Sequence, residues 1–125
     1  YGDEFGMPGA GDPDNRRLMR FELSQDERAT LETTKAIAKL RKEHLALQFG
    51  DIYDICADGK MMHYRRKYFE DEVIVIFNKD RVQHMLPIHD DSDEWTAEFG
   101  SKMNYENGSL EVSVSAYGFE ILTRK

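Results

Sequence analysis

The spacing of apolar residues changes near residue 49 and divides the chain into a helical part and a strand-forming part. From about residue 24 to residue 44, apolar side chains recur every three or four positions, which is the period of an α-helix. Ser24 and Glu27 have the spacing of a capping box, in which each side chain can bond to the other residue's backbone N–H. The pattern therefore predicts one helix that begins at this box and ends near His44.

Apolar residues occupy two lines on nearly opposite faces of that helix. The broader line consists of Ala29, Thr33, Ala36, Ile37, Leu40 and His44. The thinner line consists of Leu31, Ala38 and Leu45. Because a surface helix needs only one apolar stripe, the second line predicts a neighbour on each side of the helix.

From Phe49 onward the apolar period is two, which is typical of β-strands. Residues 73–77 are apolar throughout, so we expect a central strand that is covered on both faces. Residues 110–116 alternate apolar with polar side chains, which predicts one buried face and one exposed face. The other predicted strands are residues 52–57 and 61–69, with further sheet-forming segments around 81–86, 94–99 and 119–123.

Two dipeptides, Asp58-Gly59 and Asn107-Gly108, are residue pairs that tight hairpin turns prefer, because both central residues of a type I′ turn need positive φ. Short strands separated by such turns are typical of an antiparallel sandwich. The sequence therefore predicts a mainly β fold, an antiparallel β-sandwich, preceded by one α-helix and an irregular loop.

The composition of the chain argues against several classes of function. The 125 residues are 40% hydrophobic and 33% charged, which suits one compact domain. A formal net charge of −7 argues against a nucleic-acid partner, whose phosphates require a basic surface. The sequence contains no apolar run long enough to span a bilayer, so it indicates no membrane partner. The single cysteine, Cys56, excludes an intrachain disulfide, and its apolar neighbours predict a buried side chain.

The first 21 residues have a composition unlike the rest of the chain. They contain four of the nine glycines and two of the three prolines. Glycine permits left-handed backbone and close approach, while proline fixes φ and removes a hydrogen-bond donor. At the centre, residues 12–17 read Asp-Pro-Asp-Asn-Arg-Arg and concentrate charges of both signs. Such a segment predicts a shaped loop at a binding edge.

The same stretch resembles a known family. Residues 1–7 read Tyr-Gly-Asp-Glu-Phe-Gly-Met, and the charged run at residues 12–17 follows. Together with Leu-Arg-Lys-Glu-His at residues 40–44 and Tyr-Gly-Phe-Glu-Ile-Leu at residues 117–122, these motifs resemble the α-amylase family of glycoside hydrolases. Within that family the resemblance is to the neopullulanase, cyclomaltodextrinase and maltogenic amylase branch. Leu18 departs from the family pattern, which often has proline after the paired arginines.

The resemblance implies that the chain corresponds to the end of a (β/α) barrel followed by a Greek-key-like C-terminal β-domain. Residues 1–48 would be the barrel part, with a cleft loop at 1–23 and the last helix at 24–45, and residues 49–125 would be the β-domain. The resemblance also implies that the catalytic nucleophile, general acid and third aspartate precede residue 1. The expected substrates are starch-like α-glucans, maltooligosaccharides or cyclodextrins.

Within the loop, the resemblance assigns substrate binding to Asp12 and Arg16, which match residues that hold a glucosyl unit on the non-reducing side. The chemistry agrees, because a carboxylate accepts hydrogen bonds from sugar hydroxyls while a guanidinium donates them in a fixed fork. The alternative is a local Asp–Arg pair that staples a turn. Both interpretations stay open at the level of sequence.

The carboxylates of the opening loop predict no catalytic pair. Hydrolysis with retention needs two carboxyl groups roughly 5–5.5 Å apart that have different pKa values. The spacing of the acidic residues in the loop indicates no such pair; these residues are Asp3, Glu4, Asp12 and Asp14. We therefore expect no catalytic residue and no glycosidase activity in the chain itself.

An acidic, polar run at residues 87–94 is typical of a solvated loop. Its His89-Asp90 pair lies far after the position where the family has a functional His-Asp pair. Residues 90–94 could offer oxygen ligands to Ca²⁺, but they lack the glycine and the terminal glutamate of an EF-hand loop. We therefore expect no metal site and no cofactor.

The aromatic and histidine residues of the predicted strands are expected to pack in or on the sheets, since they alternate within strands. Stacking on sugar rings is the alternative for the aromatic ones. The aromatic residues concerned are Tyr53, Tyr64, Tyr68, Trp95 and Tyr105. His63 and His84 have no ligand partners nearby in sequence and are predicted to be ordinary sheet residues. The basic run at residues 65–67 would divide between the two faces of a strand.

Two functions from different classes fit these observations. The first is the C-terminal part of an α-amylase-family hydrolase, which we prefer because the opening loop is expected to be the edge of a cleft. The second is a free-standing β-sandwich carbohydrate-binding module. With no barrel to cover the thinner apolar line of the helix, we also expect self-association through a second copy of the chain. The compartment stays open between the cytoplasm and the periplasm of a bacterial cell.

Overall fold

The computed structural model describes residues 1–90 and 94–124. The chain divides into two compact units, Tyr1–Glu43 and His44–Lys125, which we call the opening unit and the β unit. Within the described residues, no helix combines the length and the apolar character that a membrane span requires.

The opening unit contains one long helix, α1, at Gln25–Glu43, and two short 3₁₀ turns. Helix α1 has the predicted capping box. The Ser24 backbone N–H donates to Glu27 Oε2 at 2.8 Å, and the Glu27 N–H donates to Ser24 Oγ at 3.3 Å. The first 3₁₀ turn, Asp3–Phe5, packs against α1, and its Phe5 is 3% exposed.

Helix α1 ends at Glu43 because His44 has an extended backbone conformation, with φ −111° and ψ 112°. A second, short helix, α2, follows at Leu45–Phe49. Leu45 therefore lies on α2, and the expectation that it continues the thinner apolar line of a single helix is wrong. The extended backbone at His44 interrupts the helical period, so helical spacing no longer relates residues on either side of His44.

The β unit is an antiparallel β-sandwich, as predicted. Its strands are β1 Asp51–Ala57, β2 Met61–Tyr68, β3 Asp71–Asn78, β4 His84–His89, β5 Thr96–Ala97, β6 Lys102–Glu106, β7 Ser109–Val114 and β8 Phe119–Arg124. One sheet has five strands in the order β1-β2-β3-β8-β5, and the other has three in the order β4-β7-β6. The strand pairs of both sheets run antiparallel.

Strand β3 is the central strand that its apolar sequence predicts. It pairs with β2 on one side and with β8 on the other. Val73, Ile74, Val75 and Ile76 are all buried, whereas Phe77 near the end of the strand is 44% exposed. Burial on both faces therefore holds for the middle of the strand.

The core lies between the two sheets and draws residues from both. It contains Met61, Ile74, Ile76, Ile88, Trp95, Leu110, Val112, Val114 and Leu122. On β7 the predicted alternation holds for the three apolar residues of the strand, which are 3% exposed or less, while their polar neighbours are half-buried and not exposed. The strand ends at Val114, and Ala116, which was expected on the buried face, is exposed.

Asp71, the first residue of β3, stabilises the start of α2. Its Oδ1 lies 2.8 Å from His44 Nδ1, and its Oδ2 accepts the Ala46 backbone N–H at 2.8 Å. A carboxylate from a neighbouring strand thus replaces the side-chain cap that His44 does not provide.

Both predicted turn dipeptides lie at hairpin connections, one of them with a change of register. The Asn107-Gly108 pair has φ of 53° and 76°, as a type I′ turn requires. In the β1–β2 connection Gly59 alone has positive φ, 89°, because the Asp58 N–H pairs with the Met61 carbonyl at 3.2 Å. The two central residues are therefore Gly59 and Lys60. Asp58 accepts the N–H groups of Lys60 and Met61, each at 2.8 Å.

The third strand of the smaller sheet, β6, is absent from the sequence predictions, because its lysine, asparagine and glutamate have low strand propensity. Strand β6 forms because the hairpin places it beside β7, with which it pairs, and this pairing is not evident from its local sequence. Strand β4 also begins later than expected. The Asn78 side chain accepts the Asp80 N–H and donates to the Val82 carbonyl, both at 2.9 Å, which holds residues 78–82 as a turn.

Residues 87–90 are not the solvated loop that their polarity predicts. Residues 87–89 belong to β4, and Asp90 is 9% exposed because Arg65 Nη1 bonds to its Oδ2 at 2.5 Å. Of the candidate calcium ligands at residues 90–94, residues 91–93 lie outside the described residues.

Cys56 is exposed, so its predicted burial is wrong. It lies on β1, the edge strand of the five-stranded sheet, and every residue of that strand is exposed. An apolar run predicts burial only where another layer covers the strand, and an edge position removes that cover.

Candidate substrate-binding loop

Glycines shape the first part of the opening loop. Gly2 and Gly6 lie on either side of the first 3₁₀ turn with φ of 85° and 74°. A side chain at Gly2 would place its Cβ 2.6 Å from the Cβ of Met7, so this close approach requires glycine. The Met7 N–H also donates to the Gly2 carbonyl at 2.9 Å. The loop therefore has a defined backbone path over its first seven residues.

Asp12 and Arg16, the two predicted site residues, pair with each other. Arg16 Nη2 lies 2.8 Å from Oδ1 and 2.9 Å from Oδ2 of Asp12. The Asp12 side chain is 59% exposed and the Arg16 side chain 73% exposed. The Asp12–Pro13 peptide is cis, and the Arg16 N–H donates to the Pro13 carbonyl at 3.0 Å. The pair presents a carboxylate and a guanidinium side by side to solvent, which fits both the sugar-binding and the stapled-turn interpretations.

Asp14 and Arg17 form a second pair in the same turn. Arg17 Nε donates to Asp14 Oδ1 at 2.8 Å, and Arg17 Nη2 donates to Asp14 Oδ2 at 2.9 Å, which is a two-pronged fork. The hydrogen bond from Arg17 holds the pKa of the Asp14 carboxyl below its usual value. The Tyr1 hydroxyl donates to the backbone carbonyl of Arg17. The sequence analysis missed this pair, although its three-residue spacing could have indicated it.

A cavity of about 340 Å³ lies beside this turn. Its polar lining includes Tyr1, Asp3, Asp14, Asn15 and Arg17. These groups supply both hydrogen-bond donors and acceptors, the combination that recognises sugar hydroxyls. Asp12 and Arg16 do not line the cavity, so the predicted site residues stand outside it.

The carboxylates of the turn are engaged with arginines. A general acid of a retaining glycosidase must hold a proton near neutral pH. Arg17 favours the ionised form of Asp14 and lowers the pKa of its carboxyl, which is the opposite of what a general acid needs. The pairing with Arg17 therefore argues against a general-acid role for Asp14.

Histidines and acidic residues of the described chain have local roles. Across residues 1–90 and 94–124, no three His, Cys, Asp or Glu side chains gather as a metal site. His84 Nε2 lies 2.8 Å from Asp80 Oδ2, and the bond from His84 contributes most to lowering the pKa of Asp80 to about 2. His63 is 8% exposed, and burial lowers its pKa.

A cluster of buried charges lies in the β unit, and the sequence analysis missed it. Arg65 is 6% exposed and donates to Asp54 at 2.9 Å, to Glu72 at 3.2 Å and to Asp90 at 2.5 Å. Burial opposes the positive charge of Arg65, but its bonds to Asp90 and Asp54 outweigh burial and raise its pKa. Arg124 joins the cluster through Glu72. The paired charges lie between elements far apart in sequence, so no local spacing announces them.

The basic run at residues 65–67 divides between the faces of β2, as predicted. Arg66 lies on the opposite face of β2 from Arg65 and its buried cluster. It donates from Nη1 to the Leu47 carbonyl at 3.0 Å and from Nη2 to the Gly50 carbonyl at 2.7 Å. These bonds satisfy carbonyl groups at the end of α2. Arg66 therefore has a structural role and does not form a basic patch with its neighbours.

Trp95 packs in the core of the β unit, as predicted, whereas Tyr53 on β1 is 39% exposed and contacts the sheet through its hydroxyl. Trp95 is 5% exposed, and the guanidinium carbons of Arg124 and Arg65 lie 4.9 and 5.8 Å from its ring centroid. The Tyr53 hydroxyl donates to Glu72, and burial together with this bond raises the pKa of Tyr53 to about 12.

The remaining strand tyrosines lie on sheet surfaces. Tyr64 faces Phe77 at a centroid distance of 6.4 Å, and Tyr68 meets Phe69 edge-on at 4.7 Å. Tyr105 on β6 is 37% exposed. Ring packing therefore accounts for Tyr64 and Tyr68.

Comparison with known proteins identifies relatives whose sequences align with almost the full chain. No protein-family model matches it. The chain is 31% identical over 124 residues to a cyclomaltodextrinase of Geobacillus thermopakistaniensis, a match that covers 95% of the chain and 21% of that enzyme. It is 30% identical over 128 residues to neopullulanase 2 of Thermoactinomyces vulgaris, covering 98% of the chain and 22% of that enzyme. The chain thus spans about a fifth of the length of these curated relatives.

Solved structures share the fold. An α-amylase of Anoxybacillus superposes with a TM-score of 0.86 at 19% identity, covering 99% of this chain and 28% of that one. An α-amylase from Geobacillus thermoleovorans, solved in complex with acarbose, superposes with a TM-score of 0.83 at 22% identity, covering 100% of this chain and 28% of that one. The predicted mainly β architecture is confirmed by these matches.

Proposed function

The chain belongs to the α-amylase family of glycoside hydrolases, and we propose that it is the C-terminal part of an enzyme that hydrolyses α-glucosidic bonds. Its substrates are starch-like glucans, maltooligosaccharides or cyclodextrins. The observation that carries the proposal is the alignment with a cyclomaltodextrinase over 95% of the chain. The relatives include a cyclomaltodextrinase, a neopullulanase and a maltogenic α-amylase, and these names support this substrate class.

In this proposal the two ends of the chain have different tasks. Residues 49–125 form the structural C-terminal domain, and residues 1–48 close the catalytic barrel, with the loop at 1–23 along the cleft. The proposed boundary falls inside α2, five residues beyond the limit of the opening unit at Glu43. Because α2 packs on β2 and β3, we assign it a supporting role under the sandwich.

We propose that Asp12 and Arg16 bind a glucosyl unit on the non-reducing side of the cleft. Both side chains are more than half exposed, and only Nη2 of Arg16 is used in the bond to Asp12. A guanidinium has five N–H donors, so most of them stay available to sugar hydroxyls. The carboxylate of Asp12 likewise has lone pairs to accept from a hydroxyl.

A free-standing carbohydrate-binding module is the alternative function. It accounts for the sandwich, but it gives no task to the paired charges of the opening loop. The intact mass of the natural gene product separates the two: the hydrolase requires several hundred residues beyond those in this chain, and the module does not.

The chain by itself should not hydrolyse glucans, because a retaining mechanism needs a nucleophile and a general acid that we assign to another part of the enzyme. Purified chain is incubated with maltooligosaccharides, pullulan and cyclodextrins, and new reducing ends are measured. The expected result is no turnover above buffer. Turnover that disappears with Asp12→Ala or Asp14→Ala would show that the catalytic groups lie in this chain and would overturn the assignment.

In the full-length enzyme, Asp12→Ala or Arg16→Ala should weaken catalysis without unfolding the β unit. Loss of a hydrogen bond to a charged group costs about 1.5–3 kcal/mol, which is roughly ten- to a hundredfold in kcat/KM if the bond is present in the transition state. Urea unfolding of each variant serves as the stability control. Wild-type kinetics of both variants on every glucan would leave the pair as a staple of the turn.

Self-association of the chain remains part of the proposal. Leu31 is half-buried, and Leu45 on α2 is 47% exposed. Sedimentation across a concentration series tests it, with Leu31→Glu and Leu45→Glu expected to shift the chain toward monomer. A monomer at every concentration would remove self-association and leave the assignment to the α-amylase family intact.

A further inference from the structure

The turn that carries Asp12 and Arg16 is closed by the Arg16 N–H, which donates to the Pro13 carbonyl at 3.0 Å, and by several bonds that neither of these residues makes. The Tyr1 hydroxyl donates to the Arg17 carbonyl, which ties the first residue of the chain to the end of the turn. The Asp14 N–H donates to the Gly11 carbonyl at 2.9 Å. The side chain of Arg17 then clamps Asp14 through two parallel N–H···O bonds of 2.8 and 2.9 Å.

The two ion pairs of the turn interleave along the chain. The outer pair is Asp12 with Arg16, and the inner pair is Asp14 with Arg17. The inner pair joins the side chains of residues 14 and 17 across Arg16, whose backbone N–H is also bonded to the Pro13 carbonyl. The outer pair has no comparable hold on the inner one, because Arg16 uses a single nitrogen while Arg17 uses two.

Exposure separates the two pairs as well. The side chains of Arg17 and Asp14 are 47% and 39% exposed, whereas those of Arg16 and Asp12 are 73% and 59% exposed. In its bonds to Asp14, the Arg17 guanidinium uses the two parallel N–H groups that it could otherwise donate to a ligand. The outer pair keeps the larger share of its surface for solvent or sugar.

We propose that Asp14 and Arg17 are positioning residues, which hold Asp12 and Arg16 in the orientation that a glucosyl unit requires. The inference rests on the proposed function, in which the outer pair contacts the sugar. The inner pair then sets the orientation of the outer pair. An exposed ion pair adds little to the global stability of a protein, so loss of the inner pair should loosen the turn without unfolding the chain. A preorganised turn binds more tightly because less freedom is lost when the sugar arrives.

Kinetics of the full-length enzyme on maltohexaose test the role of Arg17. Arg17→Ala should raise KM roughly three- to tenfold while kcat stays within about twofold, because misplacing the outer pair weakens binding at a subsite. Arg17→Lys should resemble Arg17→Ala, since an ammonium keeps the charge but cannot form the fork. Lys35→Ala is the matched control, because Lys35 and Glu32 form an exposed pair of the same three-residue spacing on α1. Unchanged KM in Arg17→Ala would overturn the proposal.

Exchanging the charges of each pair separates positioning from ligand contact. The double variant Asp14→Arg with Arg17→Asp restores an inner ion pair and should recover at least half of the loss in KM. The double variant Asp12→Arg with Arg16→Asp restores an outer pair but inverts the groups that face the sugar, so it should recover nothing. Recovery of KM by the outer exchange and not by the inner one would mean that the inner pair contacts the sugar, and it would overturn the proposal.

Amide hydrogen exchange in the 125-residue chain gives a reading that needs no activity. Arg17→Ala should accelerate exchange of the Asp14 and Arg16 N–H groups about tenfold or more, whereas Asp12→Ala should leave the Asp14 N–H unchanged. Equal exchange in the Arg17→Ala and wild-type chains would overturn positioning whatever the sugar does. Accelerated exchange without a change in KM would also overturn it, while a kinetic loss in Asp12→Ala would keep the proposed function standing.

Discussion

The β unit and the opening unit differ in how many of their apolar residues they bury. Of the apolar residues buried in the described part of the chain, Phe5 and Leu40 alone belong to the opening unit. The opening unit instead leaves Leu18 89% exposed and Phe21 86% exposed. The β unit forms a core between two sheets, where residues such as Ile74 and Val112 are fully buried. One unit thus has its own hydrophobic core and the other has little of one.

The ion pairs of the two units also differ in exposure. In the β unit, the side chains of Arg65 and Asp90 are 8% and 7% exposed and are tied to several partners at once. In the opening unit, Arg16 and Asp12 form a pair that is mostly exposed. A buried pair is expensive to break, whereas an exposed one contributes little to stability and stays available to a ligand. The comparison supports the proposal that the β unit has the structural role and the opening unit the substrate-binding role.

The sharpest test of this difference is the removal of Arg65. Arg65→Ala removes the bonds of Arg65 to Glu72 and Asp90, which stay buried beside Arg124, so the free energy of unfolding of the chain should fall by about 3–5 kcal/mol. Urea unfolding followed by near-UV circular dichroism measures the loss. Arg81→Ala, at an exposed arginine of the same unit, is the control and should change the free energy by less than about 0.5 kcal/mol. Similar losses in both variants would mean that the buried cluster does not support the β unit.

A second, smaller effect is expected at Glu120. This carboxylate is fully buried and accepts the backbone N–H groups of Phe99, Ser101 and Ile121, each at 2.8 Å. Glu120→Ala leaves these donors without an acceptor and should lower the free energy of unfolding by about 3 kcal/mol. Glu120→Gln keeps one acceptor oxygen and should cost less.

Glu106→Ala, at an exposed position on β6, is the matched control for Glu120 and should be close to wild type. Equal stability of the Glu120→Ala and Glu106→Ala variants would show that the connection after β5 does not need the carboxylate.

The smallest effect concerns the opening unit. Ser24→Ala removes the hydroxyl half of the capping box and should destabilise α1 by about 1 kcal/mol. Amide exchange along α1 measures this locally, and Ser24→Asp, which keeps an acceptor, should restore the wild-type rates. Exchange in the core strands β3 and β7 should not change. An equal acceleration there would mean that the two units unfold as one cooperative block, and the comparison would fail.

Features that depend on neighbouring residues could be read from the sequence. The capping box at Ser24, the type I′ turn at Asn107-Gly108 and the central strand β3 all formed as predicted. Each requires only a short run of residues: a cap and its partner are three positions apart, and a turn is defined by two adjacent φ angles. The motifs of the opening loop also led to the family, because they too are local.

Features that depend on distant residues could not be read in this way. Arg65 and Asp90 lie 25 residues apart and meet because the two sheets stack. Cys56 lies in an apolar run but is exposed because β1 is an edge strand. The break before α2 depends on Asp71, which reaches back from β3. In each case the deciding partner is supplied by the topology.

The opening loop contains both kinds of information. The sequence by itself made Asp12 and Arg16 candidates for sugar binding, since the motif that contains them resembles the α-amylase family and a carboxylate beside a guanidinium has the required chemistry. Only the tertiary structure decided which aspartate pairs with which arginine and how far each pair is exposed. Residue types are written in the chain, whereas pairing among four neighbouring charges depends on the backbone path through the turn.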